Sequence, residues 1–339
     1  MLKKEQLISV LEIIEDGIII ISSNFDVQHA NKKAIEYFGK RIIGKPIYSF
    51  IRSNKLIEVI SEDSNINTTF QYNGNLNKQS LELTYLQTKG QPGAIVIKDR
   101  SKEEAFENIR RDLVANVSHE LRSPLTAISG FIETLKSDKI DRKKELRFLQ
   151  IMEEESNRMT RLLADLLSLS KLEINMHSQP NDKINLIDQV NVAKDALDLR
   201  ANDLGKKILI EQSDLETYII KGEADEIIEV FHNLIDNAIK YSNKNSDIYI
   251  KICKEMELNQ NKIKISVINE GKGISEEHLP RLTERFYRVD MARSRSIGGT
   301  GLGLAIVKHI LIRHNAQMTI ASEVDGKTTF SVSFPVNKV

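Results

Sequence analysis

V-S-H-E-L-R-S-P-L-T-A-I-S-G-F, from Val117 to Phe131, is the stretch on which the fold turns. Around it Phe106, Ile109, Leu113, Val117, Leu121, Leu125, Ile128, Ile132 and Leu135 recur at steps of three or four, the period of one apolar helical stripe. At about 100° per residue, with Val117 as origin, Leu113 and Leu121 lie about 40° to either side and His119 at about 200°. His119 therefore faces away from the stripe, toward water. Ser123 follows one turn later, close to the same line. Pro124 lacks an N–H, so the Glu120 carbonyl loses its helical partner and a bend is expected just beyond the histidine. A lone histidine on a helix is ordinarily structural or solvated. An exposed one, beside an acid and a local bend, is presented as a nucleophile.

The chain has 339 residues, enough for two or three domains with packed cores. Lys and Arg number 48 against 48 Asp and Glu, so no global field points to a nucleic-acid partner or an acidic membrane surface. The longest purely aliphatic run, Ile18 to Ile21, is too short for a membrane segment or a signal-peptide core, and a soluble chain is expected. Cys253 is the only cysteine, which excludes an intramolecular disulfide, a thiolate zinc cluster and a CxxC pair and fits a reducing, cytoplasmic setting. His309 and His314 miss the four-residue spacing of two ligands on one helical face, so no zinc site is expected.

Residues 1–100 read as a small mixed α/β domain. A helix over Leu2 to Glu15 precedes a strand at Ile18 to Ile21 and a second ending near Ala30, and Asn31 caps a helix through Phe38. Phe70 and Tyr72, then Leu81, Leu83 and Tyr85, alternate about an Asn73-Gly74 hairpin signal, and Ala94 to Ile97 form a last strand. This order, with D-G-I-I-I-I and A-N-K-K-A, resembles a PAS sensor domain. His29 reads as a surface or core residue rather than a haem ligand.

Residues 101–176 read as two long helices. Ser101 and Glu104 have the spacing of a capping box, and the first helix ends near Ser137. The second runs from about Arg142 to Glu173, with Leu149, Met152, Met159, Leu163 and Leu166 on its apolar stripe. A short polar link makes them an antiparallel hairpin, which has little to bury itself against alone. A homodimer closing a four-helix bundle is the expected solution.

Residues 180–339 alternate helix and strand, as in a two-layer α/β sandwich. In N-L-I-D-N-A-I-K-Y the amides of Asn233 and Asn237 share a helical face and can offer oxygens to a hard cation, while Lys240 presents a point charge suited to phosphate. G-G-T-G-L-G-L-A-I-V-K (Gly298 to Lys308) opens a helix, where glycine N–H groups and the dipole favour an anion. The preceding segment, Arg281 to Ser296, is charged rather than a strand, which argues against a Rossmann site. Neither a Walker A string nor the H-R-D and D-F-G pair occurs. Arg285, Arg288, Arg293 and Arg295 populate a lid where they can meet phosphate oxygens.

The string H-E-L-R-S-P-L-T closely resembles the phosphoacceptor box of bacterial sensor histidine kinases. The segments N-L-I-D-N-A-I-K-Y, N-E-G-K-G-I (Asn269 to Ile274) and G-G-T-G-L-G resemble the N, G1 and G2 boxes of the ATP-binding (Bergerat/GHKL) domain shared by histidine kinases, type II topoisomerases, heat-shock-90 chaperones and MutL proteins. The segment from His278 to Ile310 is especially similar to phosphate-regulon sensors of the PhoR type. The resemblance covers Ser101 to the C-terminus. It implies that ATP and Mg²⁺ bind against Asn233, Asn237, Lys240, Tyr241, Asn269, Gly271, Gly273, Arg285, Arg288, Gly299, Thr300, Gly301, Leu302 and Gly303, with Asn237 on the metal. It implies that His119 takes the γ-phosphoryl group, Glu120 accepts the other ring proton, Ser123 orients a water in dephosphorylation, and a response regulator receiver domain on another chain accepts the phosphoryl group. Two departures stand out. The G1 box usually opens with Asp, and here it is Asn269, which implies weakened ATP affinity; the usual Thr after H-E-L-R is Ser123. A degenerate kinase acting as a binding or phosphatase module, and a chaperone-type ATPase with an incidental His119, are the competing readings.

Overall fold

The computed structural model describes residues 4–51, 66–73, 78–86, 93–136, 140–176, 178–212, 218–257, 260–290 and 299–336. They divide into two compact units, Met1–Ala115 and Asn116–Val339.

In the first unit, α1 (Lys4–Ile13) leads into β1 (Gly17–Ile21), β2 (Val27–Ala30) and α2 (Lys32–Phe38), followed by β3 (Ile66–Asn73), β4 (Lys78–Leu86) and β5 (Gly93–Asp99). The sheet order is β2-β1-β5-β4-β3, antiparallel throughout. Asn31 caps α2 through its side-chain oxygen, which accepts from the Ala34 N–H at 3.0 Å and also from the Ile18 N–H at 2.8 Å. Leu81, Leu83 and Tyr85 alternate into the core with Ile19, Ile21, Ile95 and Ile97. Gly74 lies outside the described residues, as do the side chains of Phe70 and Tyr72.

The unit boundary falls inside α3 (Ser101–Leu135), which runs through Pro124 as one helix. The expected capping box at its start is not formed. The Ser101 N–H donates to Asp99 Oδ1 at 2.9 Å, and the Ser101 hydroxyl oxygen accepts from the Ser80 N–H instead of from Glu104. The sheet edge competes for the hydroxyl, and an acid two residues earlier supplies the cap.

The second unit holds the rest of α3 and α4 (Arg142–Ile174), capped by Asp141, whose side chain accepts from the Lys143 N–H. There follow β6 (Lys183–Asn185), α5 (Leu186–Asp203), β7 (Ile208–Gln212), β8 (Ile219–Lys221), α6 (Ala224–Tyr241), β9 (Ile248–Glu257), β10 (Gln260–Glu270), α7 (Gly303–Arg313), β11 (Gln317–Ser322) and β12 (Lys327–Pro335). A five-stranded sheet, β11-β12-β10-β9-β7, packs against α5, α6 and α7, and β6 pairs with β8 at one side. The pairing of β7 with β9 is parallel and the rest are antiparallel. Its core is aliphatic, with Phe231 and Phe334 at its centre.

The apolar stripe read on α4 is only partly covered within the chain, and a second apolar face, not read from the sequence, is the one buried. Leu149 and Leu163 are exposed, whereas Leu162, Leu169 and Leu172, on another face, are buried in the core of the α/β domain. The helix carries two apolar faces, and the C-terminal domain covers the second. No helix among the described residues is long and apolar enough to cross a membrane.

Candidate active site

A cavity of about 550 Å³ opens between α6, the start of α7, the ends of β10 and β12, and α4. Its walls include Asn233, Asn237, Lys240, Tyr241, Asn269, Gly273, Arg288, Gly299, Thr300, Gly301 and Gly303 among the residues singled out from the sequence. Gly271, Arg285 and Leu302 do not line it. Gly271 bridges Ser242 and so ties the end of β10 to the end of α6. Leu302 is fully buried at the cap of α7. Arg285 is ion-paired with Glu173 of α4 rather than aimed at the cavity. Arg293, Arg295 and Gly298 lie outside the described residues.

Helix α6 positions the polar wall because its other face, Ile227, Val230, Phe231, Leu234 and Ile235, is buried. On the cavity side the Asn233 amide donates to the Glu229 carbonyl at 2.9 Å, and its oxygen presses against Gly303, where any Cβ would collide. Asn233 is thus occupied within the fold, whereas Asn237 is the amide that opens onto the cavity. Lys240 pairs with Asp236 at 2.5 Å. Lys206 is buried beneath the end of α6; its ammonium group donates to the Ile239 carbonyl and the Ser242 hydroxyl, both at 2.6 Å, satisfying terminal carbonyl groups of that helix.

Two glycines in this wall are required by their backbones. Gly301 has φ +75, and a Cβ there would stand 2.9 Å from the Phe286 Cα; Gly273 has φ +67 and a Cβ there would strike the Glu323 carbonyl. The Phe286 N–H donates to the Gly301 carbonyl at 2.8 Å, which pins the segment that leads to Tyr287 and Arg288.

Helix α4 closes the remaining side, an arrangement the motifs did not announce. Thr300 Oγ1 donates to Asp165 Oδ2 at 2.5 Å, and Ser168 Oγ donates to the Glu229 carboxylate at 2.8 Å. Burial pushes the Asp165 carboxyl above its usual range, against the opposing pull of the Thr300 hydroxyl, Lys240 and Arg161. Burial raises Glu229 as well, and the Ser168 hydroxyl works against it. The signal in the sequence was an acid set inside L-L-A-D-L-L, where a purely structural helix face would be apolar.

On α3, His119 and Ser123 are exposed. Glu120 is not free beside the histidine: its Oε2 accepts from Arg158 Nη2 at 2.6 Å and stands 3.9 Å from Arg288 Nη1. Arg288 is 5% exposed and lines the cavity. The histidine's immediate neighbour is therefore in contact range of a cavity wall.

Fold and cavity define an α/β nucleotide-binding domain packed against a histidine-bearing helical hairpin. Residues 109–175 match the family described as His Kinase A (phospho-acceptor) domain, and residues 222–338 that described as histidine kinase-, DNA gyrase B-, and HSP90-like ATPase. The phosphate regulon sensor protein PhoR of Pseudomonas aeruginosa is 34% identical over 95% of this chain and 72% of its own length. A sensor protein kinase WalK of Staphylococcus aureus is 33% identical over 96% and 80%. The chain spans 56% of the Bacillus subtilis sensor histidine kinase WalK, to which it is 30% identical. A solved complex of the histidine kinase ThkA with the response regulator protein TrrA shares the fold, at 21% identity and a TM-score of 0.54, covering 96% of this chain and 97% of that one. The chain belongs to the sensor histidine kinases, ATP-dependent protein-histidine kinases of two-component signalling.

Proposed function

We propose that the chain transfers the γ-phosphoryl group of ATP to His119 Nε2 and then to an aspartate of a separate response regulator receiver domain. In the first step an N–P bond forms as the bond from γ-phosphorus to the bridging oxygen breaks, and ADP leaves. Glu120, whose Oε2 is held by Arg158 and approached by Arg288, accepts the proton held on Nδ1 through its other oxygen, so the ring carries no net positive charge afterwards. The protein's part is chiefly positioning and charge stabilisation, as in other phosphoryl transfers. The observation that carries this reading is the Glu120–Arg288 approach of 3.9 Å, because it sets the residue next to His119 against a wall of the nucleotide cavity.

The resident cation expected with ATP is Mg²⁺. Among the described residues no group of three or more His, Cys, Asp or Glu could hold an ion. The open amide of Asn237, a hard oxygen donor, fits a cation that shares its remaining ligands with phosphate oxygens and water. Bound there, Mg²⁺ would neutralise phosphate charge.

The order β2-β1-β5-β4-β3 in residues 1–100 supports reading them as a PAS-like sensor domain, followed by a dimerisation and phosphotransfer hairpin over 101–176 and the catalytic domain over 180–339. A homodimer is supported by apolar residues left exposed on the hairpin. Ser123, exposed one turn after His119, would orient water in dephosphorylation of the regulator. Similarity to PhoR supports a role in phosphate-regulon signalling. The alternative, a module that binds nucleotide or acts as a phosphatase without transferring phosphate to itself, is favoured by Asn269 alone.

Incubation with γ-labelled ATP separates these readings. Acid-labile, base-stable label on the wild type and none on His119→Gln is expected. Label that survives the substitution removes His119 from its role, and binding without transfer favours the alternative. Transfer from the labelled chain to a panel of receivers identifies the regulator.

A further inference from the structure

We propose that Asn269 makes this nucleotide cavity accept guanosine as well as adenosine triphosphate. The inference rests on the nucleotide reading of the cavity given above. The polar wall, with Lys240, Arg161 and the glycine N–H groups that open α7, suits a triphosphate. That leaves the base to the sheet side, where Asn269 at the end of β10 faces the cavity beside its register partner Thr328 and the ring of Phe330.

Asn269 is 4% exposed, and what little of its side chain is open faces the cavity it lines. Neither amide atom is among the fully buried atoms left without a partner, so the group meets the cavity itself and can pair with the edge of a base placed there. Its chemistry is two-sided. Oδ1 accepts and Nδ2 donates, so the group can accept from the adenine 6-amino group while donating to ring N1. Turned over, it donates to guanine O6 and accepts from guanine N1–H. A half-turn exchanges the two amide atoms in place, and Gly271 beside it carries no side chain, where a Cβ would already touch Nδ2 at 3.5 Å. The second polar group of this wall behaves in the same way. The Thr328 hydroxyl lies 2.7 Å from the Ser322 hydroxyl, which accepts from the Ile274 N–H at 2.9 Å, and either hydroxyl can be the donor. A carboxylate in place of the amide could only accept; it would hold the adenine amino group by a charge-assisted bond and repel guanine O6.

The test is titration calorimetry of the full chain with ATP and with GTP, each with Mg²⁺, on the wild type, Asn269→Asp and Asn269→Ala. The wild type is expected to bind the two within about five-fold of each other, and Asn269→Asp to widen the preference for ATP by about ten-fold or more, chiefly through weaker GTP binding. Asn269→Ala is expected to weaken both about equally, which also serves if the aspartate variant does not fold. Rejection of GTP by the wild type, or a preference unchanged in Asn269→Asp, would overturn the proposal. The same titrations on His119→Gln keep the two claims apart: an unchanged ATP-to-GTP ratio with no label reaching the wild-type histidine leaves this inference standing and the kinase reading fallen. Label on His119 from ATP, with GTP rejected by every variant, does the reverse.

Discussion

The helical hairpin and the α/β domain spend their apolar residues differently. In the α/β domain Ile227, Val230, Phe231, Leu234 and Ile235 of α6 and Ile263, Ile265 and Val267 of β10 are all buried within the chain itself. On the hairpin Leu125 is 56% exposed, Ile132 40%, Leu149 45% and Leu163 49%, although they lie on regular stripes. Leu125 and Ile132 are seven apart and Leu149 and Leu163 fourteen, the repeat of a seam between helices. A domain that closes its own core specifies itself. The α/β domain covers one face of α4, at Leu162, Leu169 and Leu172, and the other stays exposed, the face on which the proposed homodimer would close.

The sharpest break of this contrast is at the seam. Leu149→Glu with Leu163→Glu is expected to turn the proposed dimer into a monomer in analytical ultracentrifugation while the ATP-binding domain stays folded, because a pair of charges buried at an interface is far costlier than the leucines they replace. A variant that remains dimeric would place the seam elsewhere. In the self-contained domain the corresponding cut is Phe231→Ala, which removes a ring packed 6.4 Å, centroid to centroid, from Phe334. Thermal denaturation should show a loss of about 3–5 kcal/mol, with the oligomeric state of the folded protein unchanged.

Where the two regions meet, the expected effect is smaller and opposite in sign. Asp165 puts a carboxylate of α4 against Thr300, in the wall proposed to take the triphosphate. Asp165→Asn keeps a hydrogen-bonding group and removes the charge, so ATP should bind about three- to ten-fold more tightly, on the order of 1 kcal/mol, in titration calorimetry. Equal or weaker binding would show that α4 does not oppose the triphosphate.

The parts of this arrangement that sequence could reveal are those with a local period or a contiguous string. The period of α3 put His119 on the exposed side, and N-L-I-D-N-A-I-K-Y lies on a helix, α6, as the spacing of its amides required. What it could not reveal were partners far apart in the chain. Thr300 and Asp165 are 135 residues apart, and Arg285 and Glu173 are 112 apart, so Arg285, read as a phosphate ligand, had an equally sound alternative in an acid of α4. The Ser101 capping box failed for the same reason on a smaller scale, since Ser80 across the sheet took the hydroxyl first. Which of two apolar faces of α4 is covered depends on the neighbour, and periodicity describes only the helix.

The smallest expected effect is on pH dependence. His314 is buried, its Nδ1–H donates to the Ile310 carbonyl at 2.8 Å, and its Nε2 accepts from the Glu223 N–H at 3.1 Å at the cap of α6. Burial is the main cause that lowers its pKa below 6.5, with Arg313 acting in the same direction and the Ile310 bond and Glu226 against it. His309 is lowered too, by burial and then Arg285. A histidine whose folded pKa is depressed gives stability that is full above the unfolded value and is lost as pH falls below it, because the unfolded chain binds the extra proton more readily. The buried carboxyls of Asp165 and Glu229, raised in the fold, run the other way at lower pH. Melting temperature should therefore decline from about pH 7 to about pH 5.5, and less steeply in His314→Gln, whose amide keeps a donor and an acceptor without titrating. Parallel slopes would take His314 out of the account.

The central claim is that an outward imidazole on α3 receives the terminal phosphoryl group of a nucleotide held by the C-terminal domain. Trypsin releases that imidazole in the peptide D-L-V-A-N-V-S-H-E-L-R, Asp112 to Arg122, which contains one histidine and one serine. After incubation with ATP, mass spectrometry of a digest kept alkaline should find this peptide heavier by one PO₃H, at the histidine and removable by mild acid. The same mass on Ser118, or on any other peptide with this one unmodified, would contradict the claim.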